Sequence, residues 1–330
     1  MIENLEGKRR FKGSLISFLL SIILIMSISV VSVGLLSSPT NFNIIAKKSV
    51  RTSIYTQHSP IEISQNSDFE TLGFQGRGIL SDPYRIEDLL ISPSSSNNKA
   101  IFIERTTCYF VIKNCVINCY GEPNTVGISL YRVKSGTASI INNTVINPQL
   151  YGIGAQMSDS VLIKSNNITL SFFFGLYLYD AKEMNVHNNT FVSNGDGIAF
   201  INTNSSSFYY NLFQENVVGV VLSSRCNKNI FHHNDFIHSD TNVDLAKDDG
   251  FNNLWYDTSK NEGNYWSNWD GSGDYYIKGD ASAKDPYPLE DPVFTGIVEP
   301  PTRDEVVFPL MSILVSIVVM ATFYSLKRRI

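Results

Sequence analysis

The chain has 330 residues, of which 43% are apolar, 17% charged and 12% aromatic, and this composition is typical of a globular protein. The formal net charge is −5, and basic residues concentrate at the two ends, so the body of the chain is more acidic than the whole. Such a body argues against a nucleic-acid partner, because phosphate binding requires clustered Lys and Arg.

An apolar segment near the N-terminus, residues 14–36, follows the basic cluster KRRFK at 8–12. A signal peptide has the same order of parts, but its apolar core is usually about 7–15 residues long. The run here is long enough to span a bilayer, and no clean small-x-small cleavage site follows it. Residues 1–36 are therefore predicted to be a basic cytoplasmic tail followed by either a signal peptide or an uncleaved signal anchor.

A second uncharged apolar run covers residues 306–326 and ends at the basic tail 327–330. This run predicts a transmembrane helix, and the positive-inside rule places both basic ends in the cytoplasm. Residues 37–305 are then predicted to form the extracellular or periplasmic domain of a cell-membrane protein, whose terminal helices contact the lipid bilayer.

Repeats of 22–28 residues organise the region between the two apolar runs. Short strands that begin with Gly recur at Gly127, Gly152, Gly175, Gly197 and Gly219. A polar turn residue recurs with the same period, at Cys115, Asn143, Asn166, Asn189, Asn211 and Asn234. Because two independent markers share one period, residues 100–260 are predicted to be a solenoid. Residues 37–99 are assigned to its entry segment and first partial coil, and residues 261–305 to a Trp-rich cap and linker.

Side-chain alternation predicts the shape of each repeat. The first and third residues after each Gly are apolar, as in Ile198 and Phe200, and alternate residues of a strand face the same side. Another apolar residue lies two positions after each turn residue, as in the column Phe191, Phe213 and Phe236. The sequence therefore predicts an all-β, single-stranded right-handed parallel β-helix of about seven coils, with stacked Asn side chains at one corner.

The segment HNNTFVSNGDGI (187–198) shows how few residues this scaffold leaves for chemistry. Asn189 is assigned to the corner ladder, Phe191 to the core, and Gly197 to a bend that a side chain would crowd. His187 and Asp196 are the residues of this segment that remain free for a chemical role.

The periodic Gly-Ile and Asn-Asn-Thr-Phe coils resemble the NosD-like, or CASH, branch of the right-handed β-helix proteins. The segment FETLGFQGRGILSDPYRIEDLLI (69–91) is similar to the entry segment of that family, and 263–289 is similar to its closing segment. The resemblance implies a periplasmic or surface location. It also implies either activity on carbohydrate or, for the NosD branch, a part in copper-site maturation of a reductase.

Catalytic chemistry of the pectin-lyase-like type requires carboxylates within several ångströms of one another. The outward positions of the Gly strands hold one carboxylate, Asp244. The motif NGDGI (194–198) is similar to a polygalacturonase motif, but that motif has a second Asp where this chain has Ala199. No catalytic residue is predicted, and a polysaccharide lyase or glycoside hydrolase remains the alternative function.

Metal binding has weak support in the sequence. His187 and His232 are predicted to lie in one outward column but two coils apart, roughly 9.6 Å, which is too far for one ion. His232 and His233 are adjacent on a strand and are expected to face opposite sides. No metal site and no cofactor are predicted, and a copper-maturation role is the third alternative.

Aromatic residues give the strongest functional signal. Tyr131, Tyr177 and Tyr179 are predicted to project from one outer face, with Gln156 between them. Exposed rings beside hydrogen-bonding groups suit sugar stacking, although surface Tyr is also ordinary on β-sheets. The sequence therefore predicts a surface binding or structural module, with a surface polysaccharide or glycan as its ligand.

Four Asn-X-Ser/Thr sequons are candidates for glycosylation in an extracytoplasmic domain. They occur at Asn142, Asn167, Asn188 and Asn204. Because the first three lie in predicted corner turns, coil geometry by itself also accounts for them.

Overall fold

The computed structural model describes residues 55–94 and 96–294. Within these ranges the chain forms three long parallel sheets that run side by side along one axis. Sheet 1 contains the Gly strands, sheet 2 the strands that precede each corner Asn, and sheet 3 the strands that follow it. Strands are numbered in chain order.

The bounds of the strands follow from the repeat. Sheet 1 consists of β2 (Ile61–Ile63), β5 (Lys99–Glu104), β8 (Val126–Tyr131), β11 (Tyr151–Gln156), β14 (Phe174–Tyr179), β17 (Asp196–Ile201), β20 (Val218–Leu222) and β23 (Ala246–Asp248). Sheet 2 consists of β3 (Tyr84–Glu87), β6 (Phe110–Lys113), β9 (Ala138–Ile141), β12 (Leu162–Lys164), β15 (Asn185–His187), β18 (Ser207–Tyr209) and β21 (Ile230–His232). Sheet 3 consists of β1 (Thr56–His58), β4 (Leu89–Ile91), β7 (Val116–Asn118), β10 (Thr144–Ile146), β13 (Asn167–Thr169), β16 (Thr190–Val192), β19 (Leu212–Gln214), β22 (Asp235–Ile237) and β24 (Tyr265–Trp266).

Each strand pairs in parallel with the equivalent strand of the coil before and the coil after. Ile153, for example, pairs with Ile128 on one side and with Leu176 on the other. The predicted right-handed parallel β-helix of about seven coils is therefore confirmed for the described residues, in which the smallest of the three sheets has seven strands.

The interior is filled by apolar columns that run along the axis. Phe191, Phe213 and Phe236 form the predicted file, with ring centroids 5.2 Å and 4.8 Å apart along it. All three rings are buried. Burial of one such side chain contributes about 2–3 kcal/mol, so stacking converts individually unstable repeats into one stable core.

The corner Asn residues form a buried hydrogen-bonded ladder. Asn189 donates from Nδ2 to the carbonyl oxygens of Ile163 and His187, at 2.9 Å and 3.0 Å. Its Oδ1 accepts from the backbone N–H of Asn166 at 2.9 Å. Cys115 occupies the first step of this ladder, as predicted, because its N–H donates to Asn143 Oδ1. Shorter ladders that the sequence did not predict occupy the other two corners, at Asn194 with Asn216 and at Asn229 with Asn253.

Gly197 illustrates why five of the sheet 1 strands, β8, β11, β14, β17 and β20, have Gly as their second residue. A Cβ atom at this position would collide with the carbonyl oxygen of Gly219 and would lie 2.7 Å from Cδ1 of Phe213. Because the contacting oxygen belongs to the backbone of the neighbouring coil, it cannot move away to make room for a side chain. The predicted crowding at the bend is confirmed.

Bulky side chains cover both ends of the core. At the first coil, the short helix α1 (Asp68–Thr71) places Phe69 against Tyr84, with ring centroids 4.7 Å apart. At the last coil, Trp255 stacks on Phe231 and Trp266 stacks on Phe236, at 4.4 Å and 4.2 Å. The antiparallel hairpin β25 (Tyr275–Tyr276) and β26 (Lys284–Asp285) follows.

One predicted strand is displaced in the structure. The sequence predicts that Asp244 faces outward from the last sheet 1 strand, and this is wrong. The strand is β23, in which Ala246 pairs with Val220 and Lys247 with Val221. A turn in which Asp240 Oδ1 accepts the N–H of Asn242 lengthens the preceding loop and shifts the strand by three residues. Asp244 therefore lies in a loop and not on the sheet 1 face.

The predicted membrane segments, residues 14–36 and 306–326, lie outside the described residues. Among the residues that are described, no helix has the length and apolar character needed to cross a bilayer. The four cysteines are all free. Burial raises the pKa of Cys115 to about 11 and that of Cys119 to about 12, which keeps both as inert thiols.

Candidate functional site

The outer face of sheet 1 brings the predicted aromatic residues together. Gln156 pairs with Tyr131 of the preceding coil and with Tyr179 of the following coil, so the three side chains form one column. Tyr177 lies two positions before Tyr179 on the same strand and therefore on the same face. All four predicted ligand-binding residues thus share one surface, and each is half-buried.

Two aromatic residues that the sequence did not predict enlarge this surface. Tyr151 and Phe174 pair with each other at the first position of their strands. The Tyr177 ring lies 5.6 Å from the ring of Tyr151 and 5.5 Å from that of Phe174, at 16° to the latter. Its centroid is 6.4 Å from that of Tyr179. Six residues therefore make up one surface, the tyrosine face: Tyr131, Tyr151, Gln156, Phe174, Tyr177 and Tyr179.

The Tyr151 ring is fixed by its surroundings. It lies across Gly154, where a Cβ atom would overlap the ring. The Tyr151 hydroxyl is 3.2 Å from Ser129 Oγ and accepts a hydrogen bond from Gln156 Nε2 at 3.1 Å. Burial raises the Tyr151 pKa, so the phenol stays neutral. The position before each Gly could have revealed this column in the sequence. In successive repeats it holds Val126, Tyr151, Phe174, Asp196 and Val218.

In the coil after Phe174, this column is occupied by Asp196, which is not aromatic. Its backbone pairs with Phe174 on one side and Val218 on the other, and its N–H donates to the carbonyl of Phe173 at 2.7 Å. Removal of the carboxylate from water raises the Asp196 pKa from 3.8 to about 6. The scaffold leaves His187 and Asp196 free for a chemical role. Of these two residues, the structure places Asp196 directly beside the tyrosine face.

The opposite end of the strands carries other charged groups. The Arg132 guanidinium lies over the Tyr131 ring, 5.1 Å from its centroid. Asp180 follows Tyr179 and accepts a hydrogen bond from Asn202 Nδ2 at 2.7 Å. Charged groups of both signs therefore border this end of the tyrosine face.

Asp180 and Asp196 are too far apart for glycosidase chemistry. Asp196 pairs with Phe174, and the step of five positions from Phe174 to Tyr179, which precedes Asp180, spans roughly 16 Å of strand. The acid and nucleophile or base of a glycosidase lie about 5–9.5 Å apart. The arrangement at this face therefore suits binding better than hydrolysis.

Histidines form a second feature, on the outer face of sheet 2. The rings of His187, Tyr209 and His232 stack in one column, with centroid distances of 4.8 Å and 5.3 Å. His233 has a positive φ of 54°, which turns its ring back toward His232. The expectation that His232 and His233 face opposite sides is wrong, because the strand ends at His232 and the chain turns there.

The two histidines and one carboxylate make a short hydrogen-bonded chain. His232 Nδ1 lies 2.6 Å from His233 Nδ1, and His233 Nε2 lies 2.8 Å from Glu262 Oε2. Loss of water and the neighbouring His233 lower the His232 pKa, so His232 favours its neutral form. Glu262 lies after the last sheet 2 strand, so this contact ties the coil to the cap.

These donors do not fit a copper centre. Two imidazole nitrogens that bind one ion at about 2 Å stand further apart than 2.6 Å in both tetrahedral and square-planar geometry. The described ranges contain no group of three or more His, Cys, Asp or Glu side chains arranged to hold a metal. The short nitrogen–nitrogen distance is that of a hydrogen bond between one protonated and one unprotonated nitrogen.

The four sequons differ in accessibility. Asn142 and Asn188 are exposed, although Asn142 Nδ2 donates to Asn114 and Asn188 Oδ1 contacts His187 Nδ1. Asn167 is half-buried, and Asn204 Oδ1 accepts hydrogen bonds from the backbone and side chain of Asn227. Asn142 and Asn188 are thus the two positions that present the acceptor amide to solvent.

A depression of about 310 Å³ lies at the C-terminal cap. Its lining includes Trp266, Trp269, Asp270 and Glu290. The indole N–H of Trp269 is buried and has no hydrogen-bond partner. This cap depression is a second aromatic surface. Substitutions in it serve as the comparison for substitutions in the tyrosine face.

Comparison with known proteins identifies the family of this architecture. The family model described as "Periplasmic copper-binding protein (NosD)" matches residues 81–271, more than half of the chain. No curated protein matches the chain. A similar solved structure is that of tailspike protein 3 of bacteriophage CBA120, with 11% identity, a TM-score of 0.25, and coverage of 66% of this chain and 52% of the tailspike. The chain thus spans about half of the tailspike's length. With the parallel coils described above, the family match shows that this chain belongs to the NosD family of right-handed parallel β-helix proteins.

Proposed function

We propose that this protein is a membrane-tethered, extracytoplasmic β-helix that binds a glycan through the tyrosine face. The observation that carries the proposal is the convergence of Tyr131, Tyr177 and Tyr179 with Gln156 on one outer face. Tyr151 and Phe174 extend the same aromatic surface. Aromatic rings beside amide and hydroxyl groups suit the apolar faces and hydroxyl edges of sugars.

The shape of the face favours an extended ligand. Coils are spaced by about 4.8 Å, so Tyr131 and Tyr179, two coils apart, lie roughly 10 Å from each other along the axis. Rings at this spacing offer successive contacts to a linear polysaccharide. A ligand that runs along the axis would contact the rings in turn and the amide of Gln156 between them.

The location is proposed from the ends of the chain and from the family. Residues 14–36 and 306–326 have the length and apolar character of membrane anchors. The description of the matching family is of periplasmic proteins. A tether of this kind would hold the β-helix near the cell surface, where polysaccharide is abundant.

Binding is favoured over the two alternatives by specific geometry. A lyase or hydrolase would require converging carboxylates, and Asp180 and Asp196 lie at opposite ends of the face. A copper-maturation role would require a set of metal ligands, and the pair His232 and His233 is arranged for a hydrogen bond.

Tyr177→Ala tests the proposed face. We expect this change to weaken binding of the tightest ligand on a glycan array by roughly tenfold, since one stacked ring contributes about 1 kcal/mol or more. The protein is used at full length in lipid nanodiscs, with affinities measured by calorimetry. Tyr276→Ala is the matched control, because Tyr276 is 73% exposed and lies on the cap hairpin.

Three outcomes decide the proposal. Loss of affinity in Tyr177→Ala with an unchanged Tyr276→Ala supports it. Loss of affinity in Trp269→Ala in place of Tyr177→Ala would assign the site to the cap depression and overturn the tyrosine face. Absence of any glycan that binds the wild-type chain would remove the proposed function altogether.

A further inference from the structure

Asp196 is the group near the tyrosine face whose position the fold does not explain. Its neighbours in the column, Phe174 and Val218, are apolar. No donor or cation in residues 55–94 and 96–294 reaches its carboxylate, and desolvation is the single cause of its altered acidity. A half-buried carboxylate without a partner destabilises the folded protein, so a structural role is a poor explanation for it.

The surroundings of Asp196 differ from those of Asp180. Asp180 accepts a hydrogen bond from Asn202, whereas Asp196 pairs through its strand with Phe174, whose ring stacks on that of Tyr177. Aromatic rings attract cations through their negative faces, and a carboxylate adds a full negative charge to the same place. Together these groups present a site that is complementary to a positively charged group of moderate size.

We propose that Asp196, Phe174 and Tyr177 form a subsite for a protonated amine, so that the preferred glycan contains amino sugars with free amino groups. This inference rests on the proposed glycan-binding function and names the class of sugar. The carboxylate would accept hydrogen bonds from the ammonium group while the Phe174 and Tyr177 rings contact the sugar or its charge. The ligand would then supply the ionic partner that the protein lacks.

Two other ligand classes fit less well. A uronic acid or sulfated sugar would place a negative charge beside an unpaired carboxylate, which is repulsive in a partly dry site. A divalent cation requires several oxygen ligands, and Asp196 belongs to no group of acidic or histidine side chains suited to a metal among the described residues.

The test compares two oligosaccharides of equal length that differ in the amine. Oligomers of β-1,4-linked glucosamine and of its N-acetylated form are titrated into the full-length chain in nanodiscs, at near-neutral pH, above the Asp196 pKa of about 6. We expect the free-amine oligomer to bind at least tenfold more tightly than the acetylated one. Added salt should reduce this preference, because it depends on an ion pair.

Asp196→Asn provides the decisive variant. It keeps the shape of the side chain and removes its charge, so we expect it to abolish the preference for the free amine and to leave affinity for the acetylated oligomer within twofold. Asp180→Asn is the matched control, and it should retain the preference.

The outcomes separate the two proposals. If both oligomers bind equally, or if Asp196→Asn keeps the preference, the amine subsite is wrong while glycan binding stands. If the tyrosine face binds a different glycan that has no free amine, the amine subsite is also overturned. If the chain binds no glycan, both proposals fail together.

Discussion

We expect Asn189→Ala to lower the free energy of unfolding by about 3–5 kcal/mol, although it removes just one small side chain. Asn189 is buried and takes part in the corner ladder on both sides. Its loss leaves the backbone N–H of Asn166 without its acceptor and removes the hydrogen bonds that Asn189 Nδ2 donates to the Ile163 carbonyl and to Asn211 Oδ1. Each unsatisfied buried group costs about 1–3 kcal/mol, and the removed hydrogen bonds add to that cost.

Thermal unfolding followed by circular dichroism measures this effect. For a domain of this size the expected fall in Tm is roughly 10 °C. Asn185→Ala is the control, because Asn185 is exposed at the start of a sheet 2 strand, and its Tm should stay within about 2 °C of wild type. An equal response of the two variants would show that the corner ladder contributes nothing beyond ordinary packing.

Asp196→Asn is expected to raise stability at alkaline pH and to leave it unchanged at acidic pH. Burial raises the Asp196 pKa from 3.8 to about 6, so between these values the folded protein retains a proton that the unfolded chain has lost. This binding favours the folded state at low pH, and the advantage disappears as pH rises through about 6. Above that pH the ionised carboxylate lowers the free energy of unfolding by about 2–3 kcal/mol. Asn at this position carries no charge and has no such cost.

Unfolding at pH 4 and pH 8 tests the linkage directly. We expect the Tm of Asp196→Asn to match wild type at pH 4 and to exceed it by roughly 5 °C at pH 8. Asp291→Asn, a change at an exposed carboxyl, should differ from wild type at neither pH. A stability gain of equal size at both pH values would contradict the assignment, since it would reflect shape and not charge.

The two properties of Asp196 lead to one combined expectation. A substitution that stabilises the protein and weakens its ligand is typical of functional residues, because binding sites retain groups that the fold itself disfavours. Stability and affinity measured on the same Asp196→Asn sample therefore distinguish a binding residue from a surface residue without a role.

The regular part of the repeat could be predicted from the sequence. Gly197 could be recognised as the start of a strand, and Asn189 and Phe191 as corner and core, because each recurs with the same period. In a stacked coil, each residue meets its own equivalents in the neighbouring coils. One period therefore predicts the neighbours of every residue without knowledge of long-range contacts.

The composition of the candidate site was predicted in part. Tyr131, Gln156, Tyr177 and Tyr179 followed from strand parity, since they lie within the regular part of each strand. Tyr151 and Phe174 did not, because they stand just before the Gly bend, where the chain departs from simple alternation. Their side chains return over the sheet, and a two-residue period does not describe such a position.

The predictions that were wrong concern residues at the ends of strands and in the last coil. His232 and His233 approach each other because His233 adopts a left-handed backbone after its strand, and alternation holds within the strand alone. The last sheet 1 strand begins later than predicted because a loop of unequal length precedes it.

The sequence alone determined the repeat, the main Asn ladder, the apolar columns of the core and four members of the tyrosine face. All of these depend on the repeat period and on the alternation of side chains along a strand. The tertiary structure decided which side chains surround Asp196, how the Tyr151 ring lies, and where the last coil begins. Those features depend on contacts between residues with no fixed spacing along the chain, so no periodic pattern encodes them.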